Sequence, residues 1–116
     1  MTSVTIYHNP RCSKSRQTLA LLEEKDLAID IVRYLDTPPD EETLKDIIGM
    51  LGVSGMDIVR TGEEAYKTSG LDKQSDDDAV VQAIIADPIL MQRPIVVARG
   101  QARIGRPPES VLEILG

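Results

Sequence analysis

The first 35 residues carry the pattern that most restricts the fold of this chain, namely a strand, a turn, a helix and a second strand. Ser3–Tyr7 is a short β-branched run typical of a strand, and Leu19 and Leu22 follow at helical spacing. The helix is expected to end near Asp26, and Ala28–Leu35 is predicted to be the second strand. A right-handed crossover makes the two strands parallel. The segment therefore predicts a β-α-β unit.

The middle of the chain, about residues 38–90, is predicted to be helical. Thr37 followed by two prolines and carboxylates starts a helix, and Gly52 ends it. Ser54–Thr61 is predicted to be a short helix. Asp76–Asp78 opens another helix, which Asp87 and the next proline stop.

The end of the chain is predicted to form a hairpin and a closing helix. Arg93–Ala98 and Gln101–Ile104 have strand composition and flank a turn at Arg99-Gly100, and Gly105–Glu109 leads into the helix. The order βαβ, helical insertion, ββα is that of an α/β thioredoxin-like fold, with a central mixed sheet flanked by helices. With 116 residues, the chain is expected to form one domain over residues 1–116, with the helical insertion at about 38–90.

The turn between the first strand and helix holds the only cysteine, Cys12, and the only histidine, His8. Free N–H groups and the dipole at a helix N-terminus stabilise an anion, and Arg11 and Lys14 add positive charge. We therefore expect the Cys12 pKa to lie below the free-thiol value of about 8.5. His8 is close enough in sequence to hydrogen-bond or pair with the sulfur.

Spacing separates several kinds of cysteine chemistry. A Cys-x5-Arg phosphate loop would need arginine where Thr18 stands, and a Cys-x-x-Cys dithiol would need cysteine at Ser15. A monothiol, glutaredoxin-like protein stays compatible, and so does a buried structural Cys12. With one cysteine there is no intrachain disulfide and no internal resolving thiol, so an oxidised Cys12 needs an external reductant.

Composition argues against several partners. The net charge of −6 disfavours nucleic acid and anionic membranes, and no apolar run approaches 18 residues. With no basic and apolar leader at the N-terminus, we expect a cytoplasmic protein. The acidic run Asp76–Asp78 is better explained by helix capping than by metal binding, so no metal is expected.

Three scattered arginines, Arg60, Arg93 and Arg106, form the second candidate feature. Taken singly, each is a surface residue by composition. Arg93 and Arg106 precede prolines, which biases them toward extended backbone. If a thiolate must attack a tetrahedral oxyanion, several planar, permanently charged donors could bind that oxyanion and offset its repulsion from sulfur.

Taken together, these residues resemble a known family over essentially the whole chain. The motifs that carry the resemblance are Tyr7-His8-Asn9-Pro10-x-Cys12-Ser13, Arg60, Ile89–Val97 and Gly105-Arg106-Pro107-Pro108. The chain is similar to the glutaredoxin-dependent arsenate reductase (ArsC-like) family, and most similar to its short YfgD-like bacterial subgroup.

The resemblance implies a thioredoxin-like fold with a cis proline, Pro94, before the third strand. It also implies Cys12 as the nucleophile, with His8 and Ser15 supporting the thiolate. Arg60, Arg93 and Arg106 would be catalytic residues that bind the oxyanion and stabilise the transition state.

The implied reaction is reduction of arsenate to arsenite through a covalent Cys12 thiol-arsenate adduct. Glutathione is the implied reductant, glutaredoxin the implied protein partner, and no cofactor is expected to be bound. Two alternatives stay open from the sequence: a monothiol glutathione-dependent oxidoreductase with another substrate, and a non-enzymatic regulator of the same fold.

Overall fold

A computed structural model describes residues 2–115, and this part of the chain contains a four-stranded mixed sheet. The strands are β1 (Thr2–Tyr7), β2 (Leu27–Val32), β3 (Ile95–Ala98) and β4 (Gln101–Ile104). Their order in the sheet is β2-β1-β3-β4. β1 is parallel to β2 and antiparallel to β3, and β3 is antiparallel to β4. The predicted α/β thioredoxin-like fold with a mixed sheet is confirmed.

Helix α1 (Ser13–Glu23) connects β1 to β2, and a 3₁₀ helix (Pro108–Ile114) follows β4. Apolar side chains from alternate strand positions and from these two helices form one buried cluster. Its members are Val4, Ile6, Leu22, Val96, Ala98, Val111 and Ile114. Because alternate side chains of a strand share one face of the sheet, α1 and the 3₁₀ helix cover the same face.

The chain divides into two compact units. One unit contains the sheet and comprises the residues up to Thr37 and those from Arg93 onward. The other unit is Pro38–Gln92. The assignment of both units to one domain stays a prediction.

The Pro38–Gln92 unit is helical. It contains α2 (Glu41–Leu51), α3 (Glu64–Thr68), α4 (Asp77–Ala86) and two 3₁₀ helices (Gly55–Ile58 and Pro88–Leu90). Two backbone hydrogen bonds join the ends of the two 3₁₀ helices. The Arg60 N–H donates to the Leu90 carbonyl and the Gln92 N–H donates to the Ile58 carbonyl, both at 2.7 Å.

Two of the predicted helix boundaries are confirmed. Asp76 is the N-cap of α4, where its side chain accepts a hydrogen bond from the Ala79 N–H at 2.8 Å. Gly52 ends α2 in the left-handed conformation, with φ of 71°, which glycine adopts without a steric penalty.

Other boundaries differ from the sequence predictions. Asp40, and not Thr37, is the N-cap of α2, because its carboxylate accepts from the Thr43 N–H at 2.8 Å. β2 ends at Val32 instead of Leu35. The chain turns at the next residue, Arg33, because its carbonyl accepts two hydrogen bonds from the residues that follow.

Three helix predictions also need correction. The first helix ends at Glu23, earlier than Asp26. The helix predicted within Ser54–Thr61 is a single 3₁₀ turn, and the closing helix is also 3₁₀.

Candidate functional site

The fold brings three distant segments to one edge of the sheet. Tyr7 at the end of β1 pairs with Ile95 at the start of β3, and Ile95 pairs with Ile104 at the end of β4. The residues that follow β1, precede β3 and follow β4 therefore leave the sheet side by side. These are the turn that contains Cys12 and the segments that contain Arg93 and Arg106.

Cys12 is the N-cap residue of α1 and is partly exposed. Its turn is fixed by Asn9, which is only 5% exposed. The Asn9 carbonyl accepts from the Cys12 N–H, and its side-chain oxygen accepts from the Arg11 N–H, both at 3.0 Å. Asparagine favours such turns because its short side chain hydrogen-bonds the backbone two residues on. The sulfur is therefore held at the start of a helix by its own turn.

The pKa of Cys12 lies below its ordinary value. Burial by itself raises this pKa, but the backbone N–H of Ser15, the Arg93 side chain and the Lys14 N–H stabilise the thiolate and outweigh it. These are the donors expected at a helix N-terminus, with one guanidinium added. The direction agrees with the sequence prediction.

Arg93 and Arg106 both reach the Cys12 sulfur. Arg93 hydrogen-bonds to the thiolate, and Arg106 Nη2 lies 3.6 Å from Cys12 Sγ. The Arg106 Nε–H also donates to the Arg93 carbonyl oxygen at 2.9 Å. The peptide bond that follows each arginine, to Pro94 and to Pro107, is cis. The cis proline predicted before the third strand is thus confirmed.

Gly105 allows the two arginine segments to approach α1. Its N–H donates to the Pro94 carbonyl at 2.9 Å. A Cβ at this position would lie 2.6 Å from Thr18 Oγ1 and 2.8 Å from Pro94 Cγ, closer than such atoms pack. Only glycine fits here without a shift, so this position fixes how Arg106 is placed beside Cys12.

His8 and Ser15 form a buried polar pair under the Cys12 turn. His8 Nδ1 and Ser15 Oγ are 2.7 Å apart, and the Ser15 hydroxyl also accepts from the Asn9 N–H at 3.0 Å. Burial, and then the positive charges of Arg33 and Arg16, lower the pKa of His8 below 6.5. His8 is therefore neutral at pH 7 and bonded to Ser15, while the Ser15 N–H stabilises the thiolate. Direct pairing of His8 with the sulfur stays a prediction.

Arg60 belongs to the helical unit. Its side chain is 23% exposed, and its Nε lies 3.2 Å from Glu63 Oε1. Its Nη1 is buried and makes no hydrogen bond within residues 2–115. The role of Arg60 beside Cys12 stays a prediction from the family resemblance.

The acidic run Asp76–Asp78 has structural partners. Besides the Asp76 cap, Asp77 Oδ1 accepts from the Gly55 N–H at 2.6 Å, and Asp78 Oδ1 lies 2.9 Å from Lys45 Nζ. Within the described residues, no group of three His, Cys, Asp or Glu side chains could hold a metal ion.

The sequence interpretation assigned no role to Asn9, Gly105 or Arg33. Asn9 had a signal, since Asn-Pro ahead of the cysteine is a turn-forming pair. Gly105 and Arg33 had none, because their importance depends on which segments the sheet register brings together.

None of the helices in residues 2–115 is long and apolar enough to span a membrane.

Comparison with known proteins identifies the family. A family model described as the ArsC family matches residues 7–114. The chain is 53% identical to the Escherichia coli K12 protein named uncharacterized protein YfgD, over 97% of each chain. It is 49% identical to a Neisseria meningitidis serogroup A protein named arsenate reductase, over 99% of this chain and 100% of that one. A solved structure described as an arsenate reductase from Vibrio cholerae superposes with a TM-score of 0.93 at 52% identity, over 98% of each chain. The sequence prediction of the family is confirmed, and the chain belongs to the ArsC family.

Proposed function

We propose that this protein is an arsenate reductase in which Cys12 is the nucleophile. The observation that carries the proposal is the contact of one thiol with two guanidinium groups, those of Arg93 and Arg106. A cation beside a cysteine that only exchanges disulfides lowers the thiol pKa, but the disulfide under attack is neutral and has no anionic oxygen for a second guanidinium to bind. A thiolate that attacks an oxyanion needs such cations, because both reactants are negative and the cations offset their repulsion. Relatives named arsenate reductase support the same choice of substrate.

The first step is attack of the Cys12 thiolate on arsenate. A sulfur-arsenic bond forms, an oxygen leaves arsenic as water after protonation, and arsenic stays pentavalent. Arg93 and Arg106 would bind the arsenate oxygens on which charge builds up. The helix N-terminus stabilises the thiolate before the attack, so a larger fraction of Cys12 is ionised than of a free thiol at the same pH.

Reduction in the second step requires an external thiol, because Cys12 is the only cysteine. A glutathione thiolate attacks the Cys12 sulfur, a sulfur-sulfur bond forms and the sulfur-arsenic bond breaks. The electron pair leaves with arsenic, which goes from As(V) to As(III), while the two sulfurs are oxidised to a mixed disulfide. Glutaredoxin, the proposed partner, then attacks the glutathione sulfur of the mixed disulfide, so the Cys12 thiolate leaves and glutaredoxin becomes glutathionylated. A second glutathione removes that group as glutathione disulfide and restores the glutaredoxin thiol. The cycle requires no bound cofactor and suits the reducing cytoplasm, which we propose as its location.

Arg60 is proposed as a third arginine for the oxyanion, on the basis of the family resemblance. Its buried Nη1 supports the assignment, because a buried donor without a hydrogen bond within residues 2–115 can bind a ligand.

Arsenate-dependent oxidation of NADPH, coupled through glutaredoxin and glutathione reductase, tests the proposal. The wild type should oxidise NADPH only when arsenate is added, and Cys12→Ser should fall to the background rate. Circular dichroism checks that the variant is folded. A wild-type rate equal to that of folded Cys12→Ser would show that the protein is not an arsenate reductase. Capture of glutathionylated substrates without any reduction of arsenate would favour the monothiol oxidoreductase.

A further inference from the structure

A polar cleft lies beside the Cys12 turn, within the unit that contains the sheet. Its volume is about 320 Å³, within the range of small-molecule sites. One wall is the turn His8–Arg11, and the other is formed by Arg33, Leu35 and Asp36. Neither Arg93 nor Arg106 lines it. The cleft is therefore separate from the arginine pair proposed to bind the oxyanion.

The sheet builds this cleft from two adjacent parallel strands. Tyr7 and Val32, the last residues of β1 and β2, are paired, so the next residues leave the sheet together. The His8 N–H extends the pairing by donating to the Val32 carbonyl at 2.8 Å. The Arg33 carbonyl then accepts from the Asp36 N–H at 3.0 Å, which closes a turn in the second wall. Crevices at the carboxyl ends of parallel strands are common ligand sites in α/β proteins.

The charges of the cleft fit a zwitterionic ligand with more carboxylates than amines. Arg11 and Arg33 supply two permanent cations on a chain of net charge −6, and Asp36 supplies one carboxylate. Leu35, which is 38% exposed, adds an apolar surface. A short peptide with two carboxylates, one ammonium group and a methylene chain matches this set. Glutathione has this composition.

The cleft is also next to the nucleophile along the chain. Arg11 directly precedes Cys12, and the Cys12 N–H is bonded to the carbonyl of Asn9, which lies in the cleft wall. His8 lines the cleft and is bonded to Ser15, whose N–H stabilises the thiolate. A ligand in the cleft would thus contact the turn that holds the reactive sulfur.

We propose that this cleft binds the thiol co-substrate, a glutathione-like peptide, through Arg11, Arg33 and Asp36. The inference rests on the proposed function and adds the site from which the second thiol would approach Cys12. Arg33 is the best residue to test, because it lies outside the Cys12 turn and is exposed.

Binding of S-methylglutathione, which cannot form a disulfide, tests the cleft without turnover. Titration calorimetry would compare the wild type with Arg33→Gln and with Lys25→Gln, which removes the same charge from an exposed residue on the α1–β2 connection. Arg33→Gln should raise the Kd about tenfold, the scale of one charge-assisted hydrogen bond, and Lys25→Gln should change it less than about twofold. Equal affinity of wild type and Arg33→Gln, or no binding to the wild type, would overturn the inference.

A kinetic measurement keeps this inference distinct from the proposed function. In the coupled assay, Arg33→Gln should raise the KM for glutathione about tenfold and leave the KM for arsenate unchanged. An equal rise in both KM values would overturn the assignment. If S-methylglutathione binds in an Arg33-dependent way but arsenate is not reduced, arsenate reduction is rejected and the cleft stands as a glutathione site.

Discussion

The Arg106 side chain joins Arg93 to Cys12: its Nε–H donates to the Arg93 carbonyl at 2.9 Å, and its Nη2 lies 3.6 Å from Cys12 Sγ. One planar group thus orients the neighbouring segment and also faces the sulfur. Lysine has a single nitrogen and cannot do both.

We therefore expect Arg106→Ala to lower kcat/KM for arsenate on the order of 100-fold, the usual effect of losing one oxyanion donor. Arg106→Lys should recover part of the charge effect but stay about tenfold below the wild type, since it loses the bond to Arg93. Initial rates over a range of arsenate concentrations measure both. Full activity of Arg106→Lys would show that charge alone matters at this position.

The lowered pKa of Cys12 predicts that its alkylation extends to lower pH than that of a free thiol. The thiolate is the reactive form, so the rate with iodoacetamide should fall as the pH drops through the Cys12 pKa, with a midpoint below that of a free thiol. Arg93→Ala removes one of the groups that lower this pKa and should move the midpoint upward. Arg99→Ala, at the hairpin turn, is the control and should leave it unchanged. A midpoint unaffected by Arg93→Ala would contradict the contact.

Ser15 is expected to matter for folding, because its buried hydroxyl serves both His8 and the Asn9 N–H. Ser15→Ala leaves these buried groups without their partner and should lower the free energy of unfolding by about 1–3 kcal/mol. Ser13→Ala, an exposed serine in the same helix, should change it by less than about 0.5 kcal/mol. Urea denaturation gives both values. Similar losses for the two variants would argue against the buried pair.

The lowered pKa of His8 predicts a pH-dependent contribution to stability. Between the folded-state pKa and the unfolded value of about 6.5, the unfolded chain binds more protons, so stability falls as the pH drops below 6.5. His8→Asn keeps a neutral acceptor for Ser15 but cannot titrate. The free energy of unfolding should therefore decline less for His8→Asn than for the wild type between pH 7 and pH 5. Parallel pH profiles would show that His8 titrates normally.

Gly105 offers a steric prediction with a matched control. Gly105→Ala places a methyl against Thr18 and Pro94 and should cost about 1–3 kcal/mol of stability. Gly49, in the middle of α2, has open space at its Cβ position. Gly49→Ala should stabilise the protein by about 0.5–1 kcal/mol, because alanine is the better helix former. Thermal unfolding of the two variants should move Tm in opposite directions, and a stable Gly105→Ala would mean that the contact relaxes easily.

Local patterns in the sequence were enough to predict most of the fold. The Asp76 cap, the Gly52 helix end and the hairpin around Arg99-Gly100 each depend on residues a few positions apart. Predictions were less accurate where two short-range interactions compete. At the start of α2, the Asp40 carboxylate takes the capping role expected of Thr37.

The site was harder to predict, because its residues meet only through strand register. Cys12 could be chosen from its turn, but nothing local shows that Arg93 and Arg106 converge on it. That follows from the pairing of Tyr7 with Ile95 and of Ile95 with Ile104. Arg93 and Arg106 were predicted as site residues only from sequence motifs characteristic of the family.

The Arg99-Gly100 turn lies at the opposite end of the hairpin from these arginines. Four residues of β3 separate it from the site end, a distance of about 13 Å at the usual rise per residue. Arg99 and Gly100 are exposed, and Gly100 has open space at its Cβ position. A spectroscopic label attached at Arg99 would thus be connected to Arg93 through β3 and to Arg106 through the paired β4, and would report their movement without contacting Cys12.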